Sequence, residues 1–168
     1  MTNNNFEKIK TPKEINEIIK KLYYFSPKEY TILSPKEILH RGRGHCFEMA
    51  ILASYLNEKN SHKPLIMGFQ FKKENELIGH AVHYFINEEG KFNSIGKSRI
   101  EGLGSKMNNY ETKNDLINAY FNEYKKNNSK LIEVVDFNLN EFNHDWRVEG
   151  ISKSQMEIMY RRLKKIRF

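Results

Sequence analysis

The chain holds one cysteine, Cys46, preceded by Arg41-Gly42-Arg43-Gly44-His45 and followed by an apolar helical pattern. A thiol reacts as its thiolate, and a helix N-terminus with cationic neighbours lowers its pKa. Arg41, Arg43 and His45 stand immediately upstream. Gly42 and Gly44 allow a sharp turn and a close approach to a substrate. The Cys46 backbone N–H, free at a helix start, is placed to stabilise an oxyanion. Together these residues point to nucleophilic attack on a carbonyl. A second reading competes, because free cysteine is among the most buried residue types and usually packs as an inert side chain.

A cysteine nucleophile needs a base, usually histidine. The chain has six: His40, His45, His62, His80, His83 and His144. His45 adjoins Cys46, so its side chain points elsewhere, and His40 lies one turn earlier. His62 and His144 fall in polar loops. His80 and His83 sit on an expected strand whose alternation sends them to opposite faces, so at most one of them faces Cys46.

The stretches "GHCFEMA", "GHAVHYF" and "GKFNSIG" resemble the transglutaminase-like and papain-like group of thiol enzymes. That resemblance covers roughly residues 34–98, and the short helix-to-strand order is closest to the transglutaminase-like branch. It implies a cysteine opening the central helix, a histidine base on the sheet, and an Asp or Asn on the neighbouring strand orienting the imidazole. The Gly79-His80-Ala81-Val82 match selects His80 over His83. Ser94-Ile95-Gly96-Lys97-Ser98 is similar to the hairpin end of small bacterial proteins of this type. "RGRGHCFE" is also similar to the cysteine loop of arylamine N-acetyltransferases. The chain is well short of that family, and its coenzyme is not carried over.

The third member departs from the pattern. If Ile86 pairs with Lys91 across the "NEEG" turn, His80 falls opposite Lys97. The expected aspartate then falls near Ile95 or Gly96, where no carboxylate exists. Asn93 resembles the papain-like asparagine but lies across from Tyr84, two same-face steps from His80. A one-residue bulge brings Ser98 opposite His80 instead. Ser98 and then Asn93 are the orienting candidates, with a Cys46–His80 dyad or a degenerate site as the remaining options. Arg41, Arg43 and Lys97 are candidates for holding an anionic substrate group.

The elements that must position these residues follow from capping and periodicity. Thr11-Pro12-Lys13-Glu14, Ser26-Pro27-Lys28-Glu29 and Ser34-Pro35-Lys36-Glu37 each read as a helix start with N-cap, N1 proline and capping-box glutamate. The first leads into an Ile15, Ile18, Ile19, Leu22 stripe. Residues 46–59 form a helix that is apolar nearly all round, hence central. Strands are expected at 65–71, 78–86 and 91–95, the last two joined as a hairpin. A polar loop, a helix over 113–126, a strand over 131–137 and a basic helix over 152–167 complete the order. Helices grouped before a hairpin indicate an α+β fold with an antiparallel sheet, organised as one domain over residues 1–168.

Composition sets the outer bounds. The chain has 168 residues, 39% hydrophobic and 29% charged, with 11 Phe and 9 Tyr to fill a core. No segment has the apolar length to span a bilayer. The N-terminus carries no secretory h-region, and one cysteine makes no internal disulfide, so a cytoplasmic location is expected. The net charge of +7 admits nucleic acid as a partner, with Arg161, Arg162, Lys164, Lys165 and Arg167 as its contact face. Compositional drift toward Asn, Lys and Ile explains the same charge, and Tyr160 and Phe168 are too few aromatics for base stacking. Metal binding by His45, Cys46, His80 and His83 lacks any C-x-x-C and is set aside. The expected function is thiol acyl transfer on a peptide, amide or ester, by a cysteine hydrolase or a transglutaminase-like acyltransferase with no cofactor. A degenerate binding module and a basic nucleic-acid-binding protein are the alternatives from other classes.

Overall fold

The computed structural model describes residues 11–25, 31–142 and 144–167. Helix α1 (Pro12–Lys21) starts as its capping residues dictate: Thr11 Oγ1 accepts from the Glu14 N–H at 3.2 Å, and the Glu14 carboxylate accepts from the Thr11 N–H at 3.0 Å. Helix α2 (Pro35–Arg41) opens on the same device at Ser34 and Glu37. It stops at Gly42, whose φ of 68° places it in the left-handed region that glycine enters without strain. The capping signal at Ser26–Glu29 lies outside the described residues. Two short strands, β1 (Tyr23–Tyr24) and β2 (Arg43–Gly44), pair in parallel with Tyr24 opposite Gly44. Helix α3 (Cys46–Glu58) follows at once, and Met49 to Ala53 and Leu56 are buried along it.

The remaining strands are β3 (Leu65–Lys73), β4 (Glu76–Ile86), β5 (Phe92–Ile95), β6 (Lys106–Tyr110), β7 (Ser129–Asn138) and β8 (Lys164–Arg167). They form one antiparallel sheet in the order β6-β5-β4-β3-β7-β8. Helix α4 (Lys113–Lys126) packs on one face over Met67, Phe69, Phe71, Val82 and Tyr84. The other face carries α1, α2 and α3, joined by α5 (Trp146–Glu149) and α6 (Lys153–Arg162). This is the α+β architecture with an antiparallel sheet that the sequence predicts. No helix among the described residues is long and apolar enough to cross a membrane.

Three local expectations are corrected. The polar loop after the hairpin contains strand β6. Its sequence, Lys-Met-Asn-Asn-Tyr, has no apolar alternation, and the strand is held partly by side chains, with Asn93 Nδ2 donating to Asn109 Oδ1 at 2.9 Å and the Asn109 N–H donating to Asn93 Oδ1 at 3.0 Å. The terminal helix ends at Arg162, and residues 164–167 become the edge strand β8 against β7. The hairpin register is Ile86 with Phe92 and Phe85 with Asn93, one residue from the direct pairing of Ile86 with Lys91 and equal to the shifted register that points Ser98 toward His80.

His83 shows how the two layers are tied. It is fully buried, with Nδ1 2.9 Å from both the Leu65 carbonyl and Ser54 Oγ. The carbonyl only accepts, so the proton sits on Nδ1. Asn57 Nδ2 is 3.0 Å from Nε2 and donates to it, its amide turned by Asn60 Nδ2 donating to Asn57 Oδ1. Burial pushes the His83 pKa down to about 4, against the Leu65 hydrogen bond that raises it. The group titrates lower folded than unfolded, so its stabilising contribution is complete above about pH 6.5 and is lost as pH falls toward 4. His80 adds the same dependence. Urea unfolding should therefore lose on the order of 2 kcal/mol per histidine between pH 7 and pH 5. His83→Gln should flatten that slope; an unchanged slope in the variant would remove His83 as its source.

Candidate active site

The loop before Cys46 is built around one buried carboxylate. Glu48 is fully buried one turn into α3 and closes a capping box on the His45 N–H at 3.2 Å. It also accepts from the Leu33 N–H at 3.3 Å and forms an ion pair with Arg41. Gly44 leaves room for this, since a Cβ there would stand 3.0 Å from Glu48 Oε2. The His45 ring caps the helix, its Nδ1 accepting from the Phe47 N–H at 3.3 Å. That role requires a neutral ring, and burial lowers the His45 pKa accordingly, with Glu48 opposing the shift.

The three cations expected to meet a substrate have other work. Arg41 serves Glu48 and donates to the Arg43 carbonyl at 2.9 Å. Arg43 lies over the Phe25 ring, 4.7 Å from its centroid. Lys97 donates to the Lys20 and Leu22 carbonyls and so ties the end of α1 to the loop after β5. None of the three is among the leading influences on the Cys46 thiol. Burial pushes the thiol up, opposed by the Ala81 N–H, the Tyr24 hydroxyl and the N–H groups of Phe47 and Cys46 itself.

Cys46 Sγ lies 3.9 Å from the Gly79 carbonyl oxygen, with the Ala81 N–H directed at it. It thus sits against the backbone of the two residues that flank His80, and Cys46 and His80 line one cavity of about 920 Å³. The His80 ring lies on the α4 side of the sheet, 6.2 Å from the Phe69 ring and 6.3 Å from that of Tyr120. Its Nε2 is buried and has no hydrogen-bond partner among the described residues. Burial pulls its pKa down to about 4, and the Leu103 backbone carbonyl, hydrogen-bonded to the ring, opposes that. His83, bound to Ser54 and Asn57, belongs to the packing of α3.

The acceptor on the His80 ring thus differs from both expected side chains. The β4–β5 ladder ends at His83 and Ile95, so no residue pairs across from His80. Ser98 lines the cavity, but its hydroxyl accepts from the Ile100 N–H at 3.0 Å. Asn93 is spent on Asn109. The chain instead loops back to present the Leu103 carbonyl. The loop is fixed by the buried Leu103 side chain and by Tyr120 Oη, which donates to the Gly104 carbonyl at 2.7 Å. A backbone carbonyl carries no residue-type signature, so composition and spacing hold no trace of it.

Tyr24 and Arg99 complete the cavity mouth and were not among the expected site residues. Pairing of β1 with β2 brings Tyr24 beside the cysteine loop, and its hydroxyl bonds Cys46. Burial and the neighbouring Cys46 charge push the Tyr24 pKa up to about 12, keeping it a donor at neutral pH. Arg99 stands over the Tyr24 ring, 5.2 Å from its centroid.

A family model, Vasohibin, matches residues 36–166. Among solved structures, the chain is similar to a putative cysteine protease from Cytophaga hutchinsonii, with 17% identity and a TM-score of 0.42. That match covers 61% of this chain and 37% of the other, so this chain spans well under half of that protein's length. A search of the curated proteins found no match.

The carboxylate at the centre of the loop generates a direct test. Glu48→Ala removes the ion-pair partner of Arg41 and the acceptor of two backbone N–H groups and should cost about 3 kcal/mol in urea unfolding. Glu48→Gln keeps an acceptor and should cost less. Equal losses in the two variants would show that the acceptor role is unimportant.

Proposed function

The chain belongs to the Vasohibin family, and on that premise we propose that it is a cysteine-dependent acyl-transfer enzyme that hydrolyses an amide or ester bond. The observation that carries this reading is the meeting of Cys46 and His80 in one cavity: the thiol lies on the backbone flanking His80, whose buried Nε2 is unpaired while its ring is anchored on Leu103. In this reading Cys46 is the nucleophile and His80 the general base, with the Leu103 carbonyl holding the ring's orientation. That role normally falls to a side-chain acceptor.

The pKa directions favour a neutral resting pair. Burial disfavours both thiolate and imidazolium, so the proton moves from Sγ to His80 Nε2 as the thiol attacks. The carbonyl oxygen becomes an oxyanion, for which the Tyr24 hydroxyl is the donor at hand. Collapse expels the amine or alcohol, which takes the proton from His80, and leaves an acyl-thioester. Water, deprotonated by the same imidazole, then releases the acid. Hydrolysis is preferred over transfer to an amine because water is always available.

Acylation by p-nitrophenyl acetate, followed as acetyl adduct on Cys46 by intact mass, tests this. Acylation should be lost in Cys46→Ser and fall by about 10²-fold or more in His80→Ala. Its acid limb should sit near pH 4, below an ordinary histidine, because the imidazole is the active form and is protonated only there. Full acylation in His80→Ala would exclude His80 as the base.

A further inference from the structure

The ladder between β4 and β5 stops at His83 and Ile95, yet β4 runs on to Glu76 paired only with β3. Gly96 still stands against Val82, but the six residues from Glu76 to Ala81 have no strand paired on the side where β5 would lie. The Asn87 N–H donates to the Lys91 carbonyl at 2.9 Å, so odd-numbered positions of this strand turn their backbone groups toward that edge. The unbroken register carries the alternation back to Ala81, Gly79 and Leu77. Cys46 confirms the parity, since the Ala81 N–H and the Gly79 carbonyl both face its sulfur. Beyond the thiol, the Gly79 N–H and both backbone groups of Leu77 have no backbone partner among the described residues.

Exposed strand edges template the pairing of another chain, and proteins usually cover or blunt them. This one is bare beside a nucleophile. Gly79 is exposed, and the space where its side chain would be holds no atom within 4 Å. Leu77 is 59% exposed.

Resting on the thiol acyl-transfer reading, we infer that the free edge of β4 at Leu77 and Gly79 receives an extended polypeptide segment as an added strand. That segment is the acyl side of the scissile bond. The acyl portion stays on the enzyme through both chemical steps while the leaving group departs, so main-chain bonds to it serve acylation and deacylation alike. The distance from Gly79 to Leu77 is about 6.6 Å along a strand, which suits two residues preceding the scissile carbonyl. The substrate class is then a peptide in β conformation, recognised chiefly through its backbone.

The test compares three reagents that alkylate Cys46: iodoacetamide, a tripeptidyl chloromethyl ketone, and the same ketone with single backbone amides N-methylated. In each the sulfur displaces halide and forms a thioether. The parent ketone should react faster than iodoacetamide. Methylation of one amide should slow it about tenfold and methylation of the neighbouring amide should not, because only alternate amides face the edge. Leu77→Pro, which removes an outward N–H at a position where an edge strand tolerates proline, should slow the ketone similarly. Leu77→Ala should not, and iodoacetamide should react equally with all three proteins. If iodoacetamide alkylates Cys46 while the ketone shows no advantage or no dependence on any amide, the strand-addition reading is overturned and the thiol reading stands. If Cys46 resists every reagent, the thiol reading fails and takes this one with it. Should Leu77→Pro disturb the fold, the methylated ketones on the unaltered protein decide.

Discussion

The site depends on a hydrogen-bond ladder that ends early. An antiparallel pair leaves no room between its strands, and a β5 that continued alongside β4 would cover Gly79 and Ala81. Because the ladder ends at His83, the first turn of α3 reaches the β4 edge from one face of the sheet. His80 belongs to the other face, with Phe69 and Tyr120. Strand alternation would ordinarily keep a group on the helix face away from a histidine on the opposite face. At an open edge the sheet is no longer a barrier, and both side chains line the same cavity.

Two further constraints hold the parts in place. Glu48 gathers the Leu33 and His45 amides and Arg41 around a fully buried carboxylate, fixing the backbone that delivers Cys46. A buried charge with this many donors resists displacement, because removing any partner leaves another polar group unsatisfied. On the far side, the Leu103 carbonyl is fixed by side-chain burial and by Tyr120, which also contacts Ser94 Oγ at 2.8 Å. Thus α4 positions the carbonyl that meets the imidazole.

Much of this was legible in the residues. Capping boxes at Thr11 and Ser34 mark helix starts because their chemistry is local. The Cys46 helix is central because it is apolar nearly all round. The Gly-His-Ala-Val strand nominates His80 as the candidate base through a short motif. What could not be read is equally specific. Arg41 looked available until a carboxylate seven positions later proved to be folded against it. Lys97 looked like a substrate cation, yet its ammonium is consumed by two carbonyls at the end of α1, which only tertiary contact brings near. Strand β6 has no apolar period, and β8 is written in residues that favour a helix.

By itself, then, the sequence determined the helix starts, the strand-rich middle, the α+β class and the pairing of one cysteine with one histidine as candidates, since each follows from local propensity or from a motif. Tertiary structure alone decided the acceptor on His80, the recruitment of Tyr24 and Arg99, and the bare edge beside the thiol. The physical reason is that these rest on backbone groups and on the place where a ladder stops. Every residue but proline has the same carbonyl and amide, and only the path of the folded chain determines which of them are left free.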